Sequence, residues 1–508
     1  MEKQAKHVLS HAGIYLIARG LPGLIAFLAI PLFTRILSKA DYGRYALALA
    51  GVNLLNALLF QWLRLSLVRF LPAFKDNAGK LRSTLATVAC ASIAALGVIA
   101  LAVCALPVAR EWRPMIGICW LLLAAQAMFD LCNEYSRAAL QPWRYMALQV
   151  CRSFSAVLLG AVLVLLGMKW RGPLVAVTIG MLLAVVWAWR HDWADVRLTV
   201  DREILARICH YGIPLSLTVA LAVVIGSSDR FLIAFFRGEE SAGIYSAAVD
   251  FTSQTLFLLM MVIQLAMFPI AVRAFEQHGK QAAQDQMRTN ASLLMAVGAP
   301  CVVGIALLAP GISDCFLGKE FRGAAAGIMP LIALGTFFAG LKAYHFDAAF
   351  QFAHRTLHQV WIVLAAAAVN IGLNIVAIPR YGINGSAVAS LVAYTVSIVI
   401  TVYVGRRYFR LPFPPQACVK VLSACAAMAV ALYPFRGSHG ALALATQIGG
   451  GAAVYGVTLL AGDFLELRQP ALKKLARSWP KGSTVRAAPA SRYRDDVLAA
   501  TLQQEPVG

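Results

Sequence analysis

Residues 41–51 read DYGRYALALAG, and residues 241–251 read SAGIYSAAVDF. Glycine and tyrosine stand at 43 and 45 in the first and at 243 and 245 in the second, an offset of 200. Each stretch opens an apolar run that ends near a proline in similar surroundings, VRFLPAF at Pro72 and AMFPIAV at Pro269. One such match is within reach of chance. Two at nearly the same offset read as an internal duplication, so the chain is expected to consist of two related halves.

The runs are membrane-length. Of the 508 residues, 60% are hydrophobic and only 14% are charged, and apolar segments of about 20 residues recur along the chain, the length that crosses a ~30 Å hydrocarbon core. Helices are expected near residues 13–33, 45–67, 84–108, 115–139, 148–168, 173–190, 211–236, 243–270, 290–309, 324–344, 359–378, 383–404, 418–434 and 440–462. The fold class is therefore all-α integral membrane, with about 14 transmembrane helices. Residues 1–208 make an N-lobe of six helices and 209–404 a C-lobe of six. Residues 405–462 add helices 13 and 14, and 463–508 form a basic cytoplasmic tail without expected structure. Six is even, so both lobes share one orientation. They are related by a pseudo-two-fold axis along the membrane normal, as in some secondary transporters.

The net charge of +21 is mostly topology. With a cytoplasmic N-terminus, the outer connections carry about 12 Lys and Arg and the inner segments about 30. The positive-inside rule then puts both termini in the cytoplasm, and no nucleic-acid partner is implied. Ten cysteines show no C-x-x-C pair and read as small apolar core residues. The first span has no recognisable cleavage site and is expected to be retained. No Walker motif, H-E-x-x-H or G-x-S-x-G occurs. Connections are short; the longest, 190–210, could form an amphipathic helix in its second half, and none could house a catalytic domain.

The polar residues inside the spans fall into stripes at helical spacing. Asn53, Asn56 and Arg64 align in the second span, with Gln61 at the edge, over about 16 Å. Gln126, Asp130, Asn133 and Arg137 align in the fourth, with Glu134 beside them. Asp250, Ser253, Gln254 and Gln264 align in the eighth. Such groups must face other helices or water. Interhelical hydrogen bonding accounts for single residues; three long stripes favour a hydrated central cavity. In the first span Arg19 stands among GIYLIARGLPGLIAFLAIPLF, residues 13–33, at a cost of roughly 2.5–3.5 kcal/mol on insertion scales. It either snorkels to the inner headgroups or shares with Gly23 and Ala26 a face lining the cavity. Arg64 lies at similar depth, and both can receive an anion. Asp130 and Glu134 are available as partners. Asp229, Arg230 and Asp250 lie in the outer half of the seventh and eighth spans, as a structural ion pair of Arg230 with Asp250, a gate, or a cation site.

Residues 370–390, NIGLNIVAIPRYGINGSAVAS, carry Asn370, Asn374, Pro379, Gly382, Gly385, Ala387 and Ala389. With ARGLPGLIAFLAIPLFTRILSKADYGRYALA near the N-terminus and SDRFLIAFFRGEESAGIYSAA, this segment resembles the polysaccharide-transport flippases. These are the O-antigen and exopolysaccharide branch of the multidrug/oligosaccharidyl-lipid/polysaccharide exporter superfamily, and the resemblance runs through residue 462. It implies a bacterial inner-membrane flippase, not an enzyme, that moves an undecaprenyl-diphosphate-linked oligosaccharide repeat unit to the periplasmic leaflet by alternating access. Helices 13 and 14 would guide the lipid tail. Membrane lipids and the polymerase and glycosyltransferases of the pathway are candidate partners. No cofactor or metal is implied, and coupling to an H⁺ or Na⁺ gradient or to membrane potential is an open option, with Asp130, Glu134, Asp229 and Asp250 as the acids to carry it. A multidrug exporter of the same superfamily is the alternative, though its cationic substrates suit an acidic cavity. A membrane polymerase or ligase would need a larger outer loop than 310–323.

Overall fold

The computed structural model describes residues 22–74, 77–106, 113–355, 357–437 and 440–464. Arg19, Gly20, most of the 110–113 connection and the tail beyond 464 lie outside the described residues. Among those described, the backbone is helical almost throughout and contains no strand, the arrangement in which a chain bonds its own backbone away from water. The described residues up to Thr458 belong to one compact unit, and Leu459–Phe464 fall to a second.

Helix α1 is Pro22–Ile36. Ser38 caps α2, Lys39–Leu59, by accepting from the Asp41 N–H at 3.2 Å, and a 49° bend at Phe60 leads into α3, Gln61–Phe70. Then come α4 (Ala78–Ala105), α5 (Arg113–Ala138), α6 (Pro142–Met168) and α7 (Arg171–Asp192). Asp201 caps the next helix, accepting from the N–H groups of Glu203 and Ile204. The second half of the 190–210 connection is thus the start of that long helix.

From Arg202 to Phe316 helical hydrogen bonding is nearly unbroken for 115 residues, about 170 Å if straight. It is not straight. Arg230 pairs with Asp250, and the Gln286 amide reaches Met267 at 3.4 Å, contacts that require reversals between them. The reversals are Gly238 and Gly279, with φ of +82° and +80°, a backbone region that glycine enters at little cost. They divide the run into α8 (202–237), α9 (239–278) and α10 (280–316). Leu357–Tyr408 behaves likewise: Gly382, φ +59°, separates α12 (357–381) from α13 (383–408), and Asn370 bonds Ser390 across the hairpin. Between them lies α11, Arg322–Phe352, with a π turn at Lys342–Phe346. The chain ends with α14, Pro415–Phe435, and α15, Ala441–Ala461.

Ten of the described helical runs are long and apolar enough to cross a membrane, or eleven with the bent α2–α3 pair. A count of fourteen requires dividing the longest runs at their glycine reversals. Large apolar side chains face outward, among them Leu101 at 73% and Phe235 at 81% exposure, too many for a surface in water. The interior is built from smaller residues and polar ones, such as Ala86, Ala184, Ser246, Thr252 and Asn374, all at most 2% exposed, as helix packing in lipid favours. This is a multi-pass membrane protein.

Candidate functional site

A cavity of about 510 Å³ opens among α1, α2, α6, α8 and α9. The α1 wall combines small residues, Gly23, Ala26 and Ala29, with the bulkier Ile25, Ile30 and Phe33. Helix α2 presents Tyr42, Tyr45 and Asn53; α6 presents Gln149, Arg152 and Ser153; α8 and α9 present Ser227, Arg230, Asp250 and Gln254. Four residues expected from the polar stripes and the intramembrane charges therefore meet here: Asn53, Arg230, Asp250 and Gln254.

The charges divide into paired and unpaired. Arg230 is bound to Asp250 through its two terminal guanidinium nitrogens, so this pair adds no net charge to the wall. Arg152 is half-buried, its guanidinium 5.5 Å above the Phe129 ring. Among the described residues no carboxylate lies within ion-pair distance of it. It sits about 15 Å along α6 from Pro142, just before the first π turn, Ser155–Leu159. Arg152 is not among the residues that the sequence singled out. The available signal was the spacing of Gln149, Arg152, Ser153 and Ala156, one helical face, and all four line the cavity.

Arg64 is placed otherwise. It is absent from the cavity wall and donates to Asp130 at 2.6 Å, while Asn56 donates to the same carboxylate oxygen at 2.8 Å. The amide of Gln126 donates to Asn53 at 2.9 Å. Two separate polar contacts therefore join these helices, Asn53 with Gln126 at the cavity wall and Asn56 and Arg64 with Asp130 in the packing of α2, α3 and α5. Glu134 pairs with Arg137 on its own helix at 2.5 Å. Gln61 and Gln264 lie outside the wall, and each buries an oxygen without a partner.

Because Asp130 is 8% exposed, removing Arg64 strands a buried carboxylate, which typically costs roughly 3 kcal/mol or more. Arg64→Ala is expected to lower the unfolding temperature in detergent clearly more than the double change Arg64→Gln with Asp130→Asn, which removes both charges. Equal losses from the two would show that the pair is not coupled.

A second polar centre lies in the packing of α8, α9, α12 and α13. The Asp229 carboxylate is 7% exposed. Tyr245 donates to it at 2.7 Å, Asn374 at 2.8 Å and Ser390 at 2.5 Å. Asn370 extends the ring, accepting from Ser228 and Asn374 and donating to Ser390, each at 3.2 Å. No cationic side chain among the described residues pairs with Asp229; its neighbour Arg230 turns to Asp250 instead. The Asn374 side-chain oxygen is buried here without a partner. The rest of the 370–390 signature is architectural. The Pro379 carbonyl accepts from Arg237 at 2.5 Å, Gly382 makes the reversal, and a Cβ on Gly385 would stand 2.4 Å from the Ala377 carbonyl oxygen.

At the end of the cavity marked by Tyr42, α2 and α9 cross at their first turns. A Cβ on Gly43 would lie 2.0 Å from the Glu239 carbonyl oxygen, and one on Gly243 2.1 Å from that of Lys39. Each glycine meets the residue four places before the other. Arg44 pairs with Glu239 at 2.6 Å, Gly318 N–H donates to Thr34 at 3.2 Å, and Arg35 donates to the Cys315 carbonyl at 2.6 Å. This end is closed by backbone contact.

A family described as "Polysaccharide biosynthesis protein" matches residues 32–326. The fold is similar to a lipid II flippase MurJ in its inward closed conformation, with a TM-score of 0.73 at 13% identity, covering 90% of this chain and 99% of that one. It is also similar to an inward-facing multidrug resistance MATE family transporter of the MOP superfamily, with a TM-score of 0.62 at 14% identity, covering 77% and 97%. An uncharacterized membrane protein of Methanocaldococcus jannaschii is 20% identical over 211 residues, 42% of this chain; the match spans 41% of that relative's length.

Proposed function

The chain belongs to the polysaccharide biosynthesis protein family, and we propose that it acts there as a flippase. Its substrate on this reading is an undecaprenyl-diphosphate-linked oligosaccharide repeat unit, carried from the cytoplasmic to the periplasmic leaflet by alternating access. The membrane is the bacterial inner membrane, with both termini cytoplasmic as the lysine and arginine distribution favours. The polymerase and glycosyltransferases of the pathway are its expected partners.

The observation that carries this reading is Arg152. The cavity wall holds three charges among its described residues, and two cancel as Arg230 with Asp250. The remaining guanidinium is free to meet an anion, and its planar fork suits a phosphate. Arg19, which lies outside the described residues, joins it in the proposal on sequence spacing alone, standing four and seven places before Gly23 and Ala26, which line the cavity. Arg64 takes a supporting role, holding Asp130 and through it Asn56. The exposed apolar flanks suit a substrate whose lipid tail stays in the bilayer, with α14 and α15 as its guide. A multidrug exporter of cations would face a net positive wall, so that reading is less favoured.

Complementation of a flippase-deficient host tests the reading. Arg152→Gln is expected to cut polymer export about tenfold or more at unchanged membrane abundance, the range expected on losing one charged contact to phosphate. Arg152→Lys should recover part of it, because charge returns without the fork. Lipid-linked repeat units should accumulate on the inner leaflet. Normal export by Arg152→Gln would remove the diphosphate role from this residue.

Coupling belongs to Asp229 in this proposal. A buried carboxylate ringed by neutral hydroxyl and amide groups is stabilised by a proton or a monovalent cation, and the Tyr245, Asn374 and Ser390 side chains that ring it are all neutral. Either ion would be co-transported rather than resident.

A further inference from the structure

A second cavity, of about 630 Å³, lies away from the central one. It opens among α10, α11 and α13 and is overlaid by the connection to α14, and the two cavities share no lining residue. Its walls are apolar: Met295, Phe337, Ile398, Val399, Phe409 and Phe413 are representative. Among the described residues lining it the one charged side chain is Arg406, exposed at the end of α13. Arg407 and Arg410 follow within one turn of chain and are also exposed. Arg407 lies over the Tyr403 ring at 5.2 Å and donates to the Tyr403 hydroxyl, while the Arg410 carbonyl accepts from Gln284 at 2.6 Å. Among the described residues none of the three arginines is within ion-pair distance of a carboxylate.

We propose that this groove is a binding site for an anionic phospholipid of the cytoplasmic leaflet, an acyl chain in the groove and the phosphate held by Arg406, Arg407 and Arg410. An apolar groove this large among membrane helices is filled by hydrocarbon in a bilayer, since water gains nothing from its walls. The charge at the mouth decides which lipid. Three guanidinium groups without carboxylate partners favour a net negative headgroup over a zwitterion, and basic pockets between helices on the cytoplasmic side bind such headgroups. Val399, Tyr403 and Arg406 recur at helical spacing on α13, so one face of the helix carries chain contact at its middle and phosphate contact at its end. Because Phe409 and Phe413 belong to the connection between α13 and α14, a lipid seated here also braces that connection.

The test is native mass spectrometry of the full-length protein in detergent, titrated with phosphatidylglycerol or with phosphatidylcholine of the same acyl chains. One phosphatidylglycerol should be retained at concentrations where phosphatidylcholine is lost. Arg406→Gln and Arg410→Gln should each weaken retention of phosphatidylglycerol about fivefold and leave phosphatidylcholine unaffected. Both positions are exposed, so folding is spared. Val399→Trp, which fills the groove, should lower retention of phosphatidylglycerol whatever the state of the arginines. Equal retention of the two lipids, or arginine variants that bind as the parent does, would overturn the proposal. So would one-for-one displacement of phosphatidylglycerol by undecaprenyl phosphate, which would give the groove to an isoprenoid tail.

Discussion

Asp229→Asn is expected to abolish gradient-driven transport while the protein still folds and reaches the membrane. The replacement keeps the shape of the side chain and removes the charge that a proton or cation would answer. Its three donors tolerate the change: the hydroxyls of Tyr245 and Ser390 can rotate to accept from a new amide, and Asn374 still meets a carbonyl oxygen. The network therefore survives as a set of hydrogen bonds and fails as an ion site. In the ionised parent, Asp229 with no ion is a buried unpaired charge, an expensive state inside a membrane. Its hydrogen-bond donors come from both hairpins, α8–α9 and α12–α13, so relieving that charge biases how the two pack. Vesicles with an imposed H⁺ or Na⁺ gradient give the readout. Transport should fall by an order of magnitude or more and lose its response to the gradient. A variant whose rate responds to the gradient as fully as the parent's would move coupling away from Asp229. Asp250→Asn is the comparison: it frees Arg230 and makes the cavity wall more positive, a change in substrate affinity rather than in gradient response.

How much could be read from the sequence depends on the range of each interaction. Local signals were legible. Gly238, Gly279 and Gly382 all fall in the gaps between expected spans, because a reversal requires a polar or flexible interruption of an apolar run. Asn53 and Asn56 could be phased by helical spacing, but the 49° bend at Phe60 separates them from Arg64, and only the availability of Asp130 to Arg64 followed from depth. Pairings across the fold were not legible. Asn374 and Asp229 are 145 residues apart, so the asparagines stood out only as part of a signature, without the carboxylate that explains them. Arg152 was missed for a different reason. Its inward placement rests on tertiary structure: it lies over the Phe129 ring of α5 and on the cavity-lining face of α6. The π turns that follow it leave no mark in composition, since a π turn adds one residue to a turn without changing residue type.

The other large effect is expected where the sequence first suggested duplication. Gly43→Ala and Gly243→Ala should each open the closed end of the cavity and depress transport severely. The added methyl meets a main-chain carbonyl oxygen at about 2 Å in both cases, and no side-chain rotation can relieve it. Helices α2 and α9 must separate, and Arg44–Glu239 and the Thr34–Gly318 bond stretch with them. Overpacking of this kind costs roughly 1–3 kcal/mol, which converts to about a 5- to 150-fold loss in population of the closed state. Gly51→Ala is the control on the same helix, since its Cβ would stand an ordinary 3.7 Å from the Phe231 ring. A single cysteine at Ser227, in a background without the ten native cysteines, reports access to the cavity. Impermeant thiol reagent should label it faster from the closed side in both glycine variants and no faster in Gly51→Ala. Unchanged labelling together with normal transport would mean that the crossing yields without opening. Reciprocal contacts at one offset also make a sharper demand. If α2 and α9 close on each other as equivalent partners, the two single variants should match in size, and the double variant should exceed neither by much. Once the helices have parted for one methyl group, the second finds room already made.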